Sequence, residues 1–468
     1  MNDVKDSAVK EVFDLAIQNH QKNNLQDAQN YYQKVLEIDP NHADTHNNLG
    51  IIFQKLGEAQ KAKSYFENAI EFNPDYTDAH FNLGNLFKEL GEHQKAKDCY
   101  EQVIKIDPNY ANAHNNLGAI FKELGKNQKA ISYFEKAIEL NPDYIDAHYN
   151  LGYLFKELGN LQKAKDCYER AIKINFNNAN AHNNLGVIFQ ELGNLQKAKD
   201  CYEKAIEINP SFTEAYWNMH TMTSNIDEAL AVLNKIYKID NKYFKAKIMI
   251  SAIEGFKGNF DHFNNLLSSP DSNHPYVRSI KWVFSLPRLS TIIFNRWNFF
   301  DTVIALSENS RPFYEFGVWN GDSFQYLIKT FKKGFGFDTF SGIPEDWHNE
   351  PKGTYSSFGA VPKIEGGEFI VGNFEDTLPD FFLKERPMAS LINFDADLYS
   401  STLCALNYSN KVIDEKTILV FDEFIMNDKW EEDEFKALNE FCSNSGFGYD
   451  VIAVSFSTKQ VAVKLKKI

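Results

Sequence analysis

One spacing governs the first half of this chain: 34 residues. Leu49-Gly50 recurs as Leu83-Gly84, Leu117-Gly118, Leu151-Gly152 and Leu185-Gly186. Ala62, Ala96, Ala130, Ala164 and Ala198 keep the period, as do Phe66, Tyr100, Phe134, Tyr168 and Tyr202. Pro40, Pro74, Pro108, Pro142 and Pro210 close units, with Phe176 in place of one proline. A fixed period of this kind marks a repeat architecture, in which a helical hairpin cannot bury its face alone and must stack on its neighbours. The glycine, and the alanine of the second helix, let the two helices of a unit approach. The aromatic is expected to fill the space between neighbouring units. Ala16 replaces the first glycine, His220 the last, and the unit at 213–246 is short, as suits capping units.

The pattern resembles the tetratricopeptide (TPR) repeat family over roughly residues 9–246. Asn48, Asn82, Asn116, Asn150, Asn184 and Asn218 stand one residue before the Leu-Gly step and its equivalents. In TPR proteins this face lines the concave groove. The series is similar to the asparagine ladder of O-GlcNAc transferase repeats, where amides hold the backbone of an extended polypeptide. An amide suits that role because it both donates and accepts. Asp44, Asp78, Asp146 and Glu214 are expected on the same surface. The resemblance therefore implies a protein or peptide partner in the groove. Capping or solvation of the helices is the alternative use of these asparagines.

The chain is too long, at 468 residues, for one ordinary core. A net charge of −15 argues against nucleic acid and anionic membranes as partners. No apolar run is long enough to span a bilayer, and Met1 to Asp6 lack a signal-peptide core, so a cytoplasmic protein is expected. Cys99, Cys167 and Cys201 share one repeat position, which reads as packing rather than disulfide or metal chemistry.

Three parts follow: a repeat array at 1–246, a helical connector at 247–310 and an α/β domain at 311–468. Residues 243–268 read as one more helical hairpin, and 268–275 as a turn-rich linker. Residues 277–308 read as helix broken at Pro287, with aromatics that serve a core. From 313 onward, short apolar strands alternate with helices. Phe313–Gly317, Phe335–Asp338, Phe369–Val371, Ala389–Phe394 and Thr417–Phe421 are the expected strands, and Val451–Val454 with Val461–Leu465 a closing hairpin. Such alternation implies a largely parallel sheet covered on both faces, with ligands at the carboxyl ends of its strands.

Gly317 and Gly321 bracket the first strand-to-helix turn, and Asp338 ends the second strand 21 residues after Gly317. Glycine allows a tight turn, the helix N-terminus offers free N–H groups to an anion, and an acid at the second strand end accepts from ribose hydroxyls. A nicotinamide dinucleotide uses similar geometry. Trp319, however, stands where the middle glycine of that fingerprint belongs, which favours S-adenosylmethionine.

Four blocks go further: Tyr314 to Gly321, Gly336 to Trp347, Gly372 to Pro379 and Asp395 to Thr402. Together they resemble the macrocin O-methyltransferase-like family over about residues 311–465. The resemblance implies a class I methyltransferase (Rossmann-like) fold, with a seven-stranded sheet ending in an antiparallel hairpin, S-adenosylmethionine as donor, Mg²⁺ as helper and a sugar hydroxyl as acceptor. It assigns the donor's amino-acid portion to Glu315, Gly317 and Gly321, its ribose to Asp338 with Phe340 beside it, and its adenine to the region of Asn373, Phe374 and Asp376. Asp395, Asp422 and Glu423 are the implied metal ligands, Glu423 standing where the family usually has Asp. Asp395 or Asp397 is the implied general base; for Asp397 a helix N-cap is the alternative.

The insertion 344–368, with Trp347, His348, Lys352 and Tyr355, reads as a lid. His348 is a second candidate base or simply an exposed loop histidine. Glu431 to Glu434 read as a solvated helix start. The whole predicts an S-adenosylmethionine-dependent O-methyltransferase acting on a sugar or glycoconjugate, with the repeats recruiting a partner or substrate. The rival readings are an interaction scaffold with an inactive methyltransferase-like domain, and a glycosyltransferase, for which no nucleotide-sugar site is apparent.

Overall fold

The structure is a computed structural model; it describes residues 2–223, 225–287, 289, 292–348, 350–357 and 359–467, with side chains from residue 7 onward. Arg288, Ser290 and Thr291 of the expected 277–308 helical run, and Asn349 and Phe358 of the insertion, lie outside the described residues, as does Met1. The chain divides into two compact units. One comprises residues 1–154 with 173–175, the other 155–172 with 176–468. The repeats of the second unit thus share a compact body with the sheet.

The first unit is all helical, built of hairpins such as Ala43–Lys55 with Ala59–Phe72 and Thr77–Glu89 with His93–Ile106. Period and packing correspond closely. A Cβ on Gly50 would meet the Phe66 ring at 2.5 Å, and one on Gly118 the Phe134 ring at 2.7 Å. The aromatic assigned to the space between units therefore lies over the glycine of its own unit. The reason is geometric: without a side chain at that position, the facing helix can sink a whole ring into the gap. A second periodic device escaped the sequence reading. His46, His80, His114 and His148 place Nε2 2.8–2.9 Å from the carbonyls of Pro40, Pro74, Pro108 and Pro142, tying each first helix to the turn before it. In the second unit His182 does the same at 3.0 Å with Phe176. The replaced proline is no loss there, because only its carbonyl was used.

The second unit carries helices Phe244–Phe256 and Asp261–Leu267, the hairpin expected at 243–268, and then Pro275–Ser285 and Arg296–Ala305. Among the described residues its sheet has seven strands: β1 Phe313–Phe316, β2 Gly334–Asp338, β3 Gly367–Val371, β4 Leu391–Phe394, β5 Ile418–Phe421, β6 Phe447–Val454 and β7 Val461–Lys467. Their order is β3-β2-β1-β4-β5-β7-β6. β1 to β5 pair in parallel; β7 is antiparallel to β5 and to β6. β1, β4 and β5 are buried throughout, as strands covered on both faces must be. Phe316, Phe337, Phe394 and Phe421 stack across β2-β1-β4-β5, with neighbouring centroids 4.7–5.5 Å apart. That row stiffens the strand ends where the chemistry-bearing loops begin.

Candidate functional site

β1 stops because Gly317 turns with φ +88°, and a Cβ there would fall 1.8 Å from the Asp395 carbonyl oxygen. Two strand-end loops thus touch backbone to backbone, a meeting only glycine permits. Gly321, at φ +83°, caps helix Asp322–Phe331. Between them Trp319 is held at φ +47° by Asp338: Oδ2 accepts from the N–H groups of Val318 and Trp319, both at 2.7 Å, and Oδ1 accepts from Phe340 N–H at 2.6 Å. The acid expected to hold a ribose therefore also builds the turn. A carboxylate has about four acceptor positions, so one remains for a ligand.

These loops wall a cavity of about 470 Å³. Of the residues expected to hold the donor, Gly317, Asp338, Asn373 and Phe374 line it, with Asp395, Asp397, Asp422 and Glu423. Glu315, Gly321, Phe340 and Asp376 stand off its wall. Glu315 is buried inside the domain, where Oε1 accepts from Ser323 Oγ and from Asn393 Nδ2 at 2.9 Å, bracing β1 to the helix and to β4. Burial pushes its carboxyl up to about 7, against the pull of those two hydrogen bonds. Asp376 is exposed, and its neighbour Glu375 lines the cavity instead.

The acids divide into two kinds. Asp422 pairs with Arg296 and accepts from Gln460 Nε2 at 2.7 Å; Glu423 pairs with Lys459 at 2.7 Å. Among the described residues, no hydrogen bond or ion pair reaches the side chains of Asp395 and Asp397. Burial drives both well above the usual carboxylate range, followed by repulsion from Asp422 for Asp395 and from Glu423 for Asp397. Burial alone would lower Arg296 and Lys459, but the surrounding carboxylates hold both cations charged. Sequence reading missed these two cations; nothing in their spacing points to the strand ends.

Backbone conformation singles out the same place. Trp319, Tyr355, Asp397 and Lys459 all have positive φ, and all four line the cavity. Such residues cost about 1–3 kcal/mol each and persist where the surroundings demand them. Trp347 and Tyr355 of the insertion reach the wall, the Tyr355 ring standing edge-on to Trp319 at 5.9 Å. His348 does not line this cavity; its Nε2 lies 2.8 Å from Asp433 Oδ2. Glu434 is not the solvated acid of a helix start. It is fully buried, accepts from Glu423 N–H at 3.2 Å, and leaves Oε1 without a partner.

In the repeats, the asparagine series bonds unit to unit. Nδ2 of Asn82, Asn116 and Asn150 donates to Oδ1 of Asn47, Asn85 and Asn115 at 2.9–3.0 Å, and Asn218 to Asn183 at 3.0 Å. Asn184 Nδ2 lies 3.3 Å from the Tyr168 hydroxyl. These donors are thus partly spent inside the array.

Residues 43–76 and 179–212, 19–57 and 84–125, 109–175, and 65–98 match descriptions of the tetratricopeptide repeat family. The N-terminal part of the chain, about 210 residues, therefore consists of TPR repeats. Such repeats point to protein interaction. Solved structures with similarity include YrrB, described as a TPR protein with an unusual peptide-binding site, at 23% identity, covering 39% of this chain and 95% of that one with a TM-score of 0.34. A tetratricopeptide repeat protein from Parabacteroides merdae gives 18%, 53%, 99% and 0.42 for the same quantities, and MamA 29%, 36%, 94% and 0.32. No curated protein matches the chain. Among the described residues, no helix is long and apolar enough to cross a membrane.

Proposed function

We propose that the sheet-bearing part of this chain is an S-adenosylmethionine-dependent O-methyltransferase acting on a sugar or glycoconjugate hydroxyl, and that the repeats recruit the partner or substrate. One observation carries the reading. A single cavity gathers a glycine turn, an acid at the second strand end and two unpartnered carboxylates at the fourth. The strand order, with its final antiparallel hairpin, supports it as the topology implied for a class I methyltransferase. The cavity volume suits a small ligand.

The donor's amino-acid end would lie at the turn between Gly317 and the helix that starts at Asp322, its ribose at Asp338 and its base near Asn373 and Phe374. Trp319, Trp347 and Tyr355 offer flat apolar faces to a sugar. Asp397 is the base: burial and repulsion raise its proton affinity, as a base working near neutral pH requires. When bound, the donor would supply its methyl group to the acceptor oxygen, with S-adenosylhomocysteine as the leaving group, and an Asp397 oxygen would take the hydroxyl proton. Holding the two reactants in line is the main contribution of such a site.

Mg²⁺ fits the donor chemistry here. Among the described residues lining the cavity, Asp395, Asp397, Asp422 and Glu423 meet two cations, Arg296 and Lys459, so negative charge is in excess, and hard oxygen ligands suit Mg²⁺. Among the described residues, no three acids, histidines or cysteines are already arranged to hold a metal ion. Asp395 has free oxygens; Asp422 and Glu423 share theirs with Arg296, Gln460 and Lys459. When bound, the ion would lower the pKa of the acceptor hydroxyl.

The test is transfer of labelled methyl from S-adenosylmethionine to fractionated extract, with and without EDTA, for the wild type and Asp397→Asn. Labelling lost in the variant, with S-adenosylhomocysteine affinity retained, is expected. No labelling and no cofactor binding by the wild type would leave the interaction scaffold as the better reading. Labelling indifferent to EDTA removes Mg²⁺ alone.

A further inference from the structure

The repeats of the second unit do more than stand beside the sheet. Helix Ala179–Glu191 ends at the cavity, and Gln190 and Glu191 form part of its wall. Two contacts fix that wall. Trp297 Nε1 donates to the Gln190 carbonyl at 2.6 Å, and Asn320 Nδ2 donates to the Gly159 carbonyl at 3.2 Å. Two glycine turns that follow repeat helices face these side chains, Gly159 in close approach and Gly193 at ordinary van der Waals distance. A Cβ on Gly159 would overlap Asn320 Nδ2 at 1.6 Å, and one on Gly193 would lie 3.7 Å from the Trp297 ring. Asn320 belongs to the glycine turn itself. A side chain at the last turn of helix Ala179–Glu191 is thus held opposite the start of helix Asp322–Phe331.

Glu191 and Asp322 both line the cavity there, and among the described residues neither side chain has a hydrogen bond or an ion pair. Burial raises the Asp322 carboxyl, and the charge of Glu191 raises it further, with Arg296 opposing. Arg296 feels Glu191 as well as Asp422, Asp395 and Glu423, but its ion pair goes to Asp422. That leaves Glu191, an exposed side chain, and the half-buried Asp322 where a helix N-terminus meets the repeat helix Ala179–Glu191. Two carboxylates beside the free N–H groups of a helix N-terminus make a receptor for a zwitterion.

We propose that Glu191 is a donor-binding residue contributed by the repeats. With Asp322 it receives the α-ammonium group of the aminoacyl end of the cofactor, while that end's carboxylate lies on the N-terminus of helix Asp322–Phe331. The proposal rests on the cofactor named above. It makes the repeat array part of the catalytic pocket as well as a recruiting surface.

Calorimetry on the full chain tests it with two probes: S-adenosylhomocysteine, which has the aminoacyl end, and 5′-methylthioadenosine, which lacks it. Glu191→Gln is expected to weaken S-adenosylhomocysteine about tenfold, the loss of roughly one charge-assisted contact, and to leave methylthioadenosine unchanged. The second probe also reports that the pocket has kept its fold. Unchanged affinity for both probes overturns the assignment and leaves the proposed reaction standing. Equal weakening of both overturns it too, because Glu191 then supports the wall without reading the ammonium. A wild type that binds neither probe overturns the cofactor reading and this inference with it.

Discussion

Replacing Asp338 by asparagine isolates what its carboxylate does. Three backbone N–H groups, from Val318, Trp319 and Phe340, end on its two oxygens, and two of those residues are held at positive φ. A hydrogen bond to a charged acceptor contributes about 1.5–3 kcal/mol. Asparagine keeps one acceptor oxygen, enough for Val318 and Trp319, and turns its NH₂ toward the Phe340 N–H. One bond is then lost outright and two lose their charge, a ceiling of about 4 kcal/mol. Asp338 is only partly buried, so water replaces some of this, and about 2 kcal/mol remains. That corresponds to roughly a 30-fold opening of the turn. Amide hydrogen exchange at Val318, Trp319 and Phe340 is the direct assay, and S-adenosylhomocysteine affinity the functional one. Both should change by that order. Exchange and affinity within about twofold of wild type would refute the argument that this acid organises the turn.

Two further outcomes follow from the same site. The Glu315 carboxyl titrates near 7 in the folded chain against 4.5 for the free group, so the native state binds the extra proton. Its stability is therefore lost as pH rises through that window. Glu315→Gln should flatten the fall in melting temperature between about pH 5 and 7 by one proton's worth; an unaltered profile contradicts the assignment. Gly317→Ala drives a methyl group into the Asp395 carbonyl at φ +88°. It should abolish cofactor binding in calorimetry while the circular dichroism of the repeats persists, and normal binding would disprove the close approach.

Local pattern carries far in this protein. The 34-residue period specified the helical hairpins because each unit's packing is settled inside the unit, by a glycine, an alanine and a ring. Strands were legible as short apolar runs, since β1, β4 and β5 are buried on both faces. Asn373, Asp395, Asp397, Asp422 and Glu423 come only from the family resemblance, whereas Gly317 and Asp338 could be picked out because loop residues at strand ends sit at fixed offsets from those runs. The pairing of acids with cations could not. Arg296 and Lys459 come from segments with no sequence relation to β5, and only the folded sheet brings them to Asp422 and Glu423.

The same division explains Glu191 and Glu315. As letters, Glu191 belongs to a repeat helix and Glu315 to the cofactor motif. In the fold the first lines the cavity and the second is buried behind it. Sequence alone determined the repeating helices, the order of strands and helices, and the glycine turn and acid that end the first two strands, since these depend on neighbours a few residues away. Tertiary structure decided which acids are neutralised, which stay free and which repeat closes the pocket, because charge and burial depend on distances in space between segments up to 237 residues apart, such as His220 and Ser457.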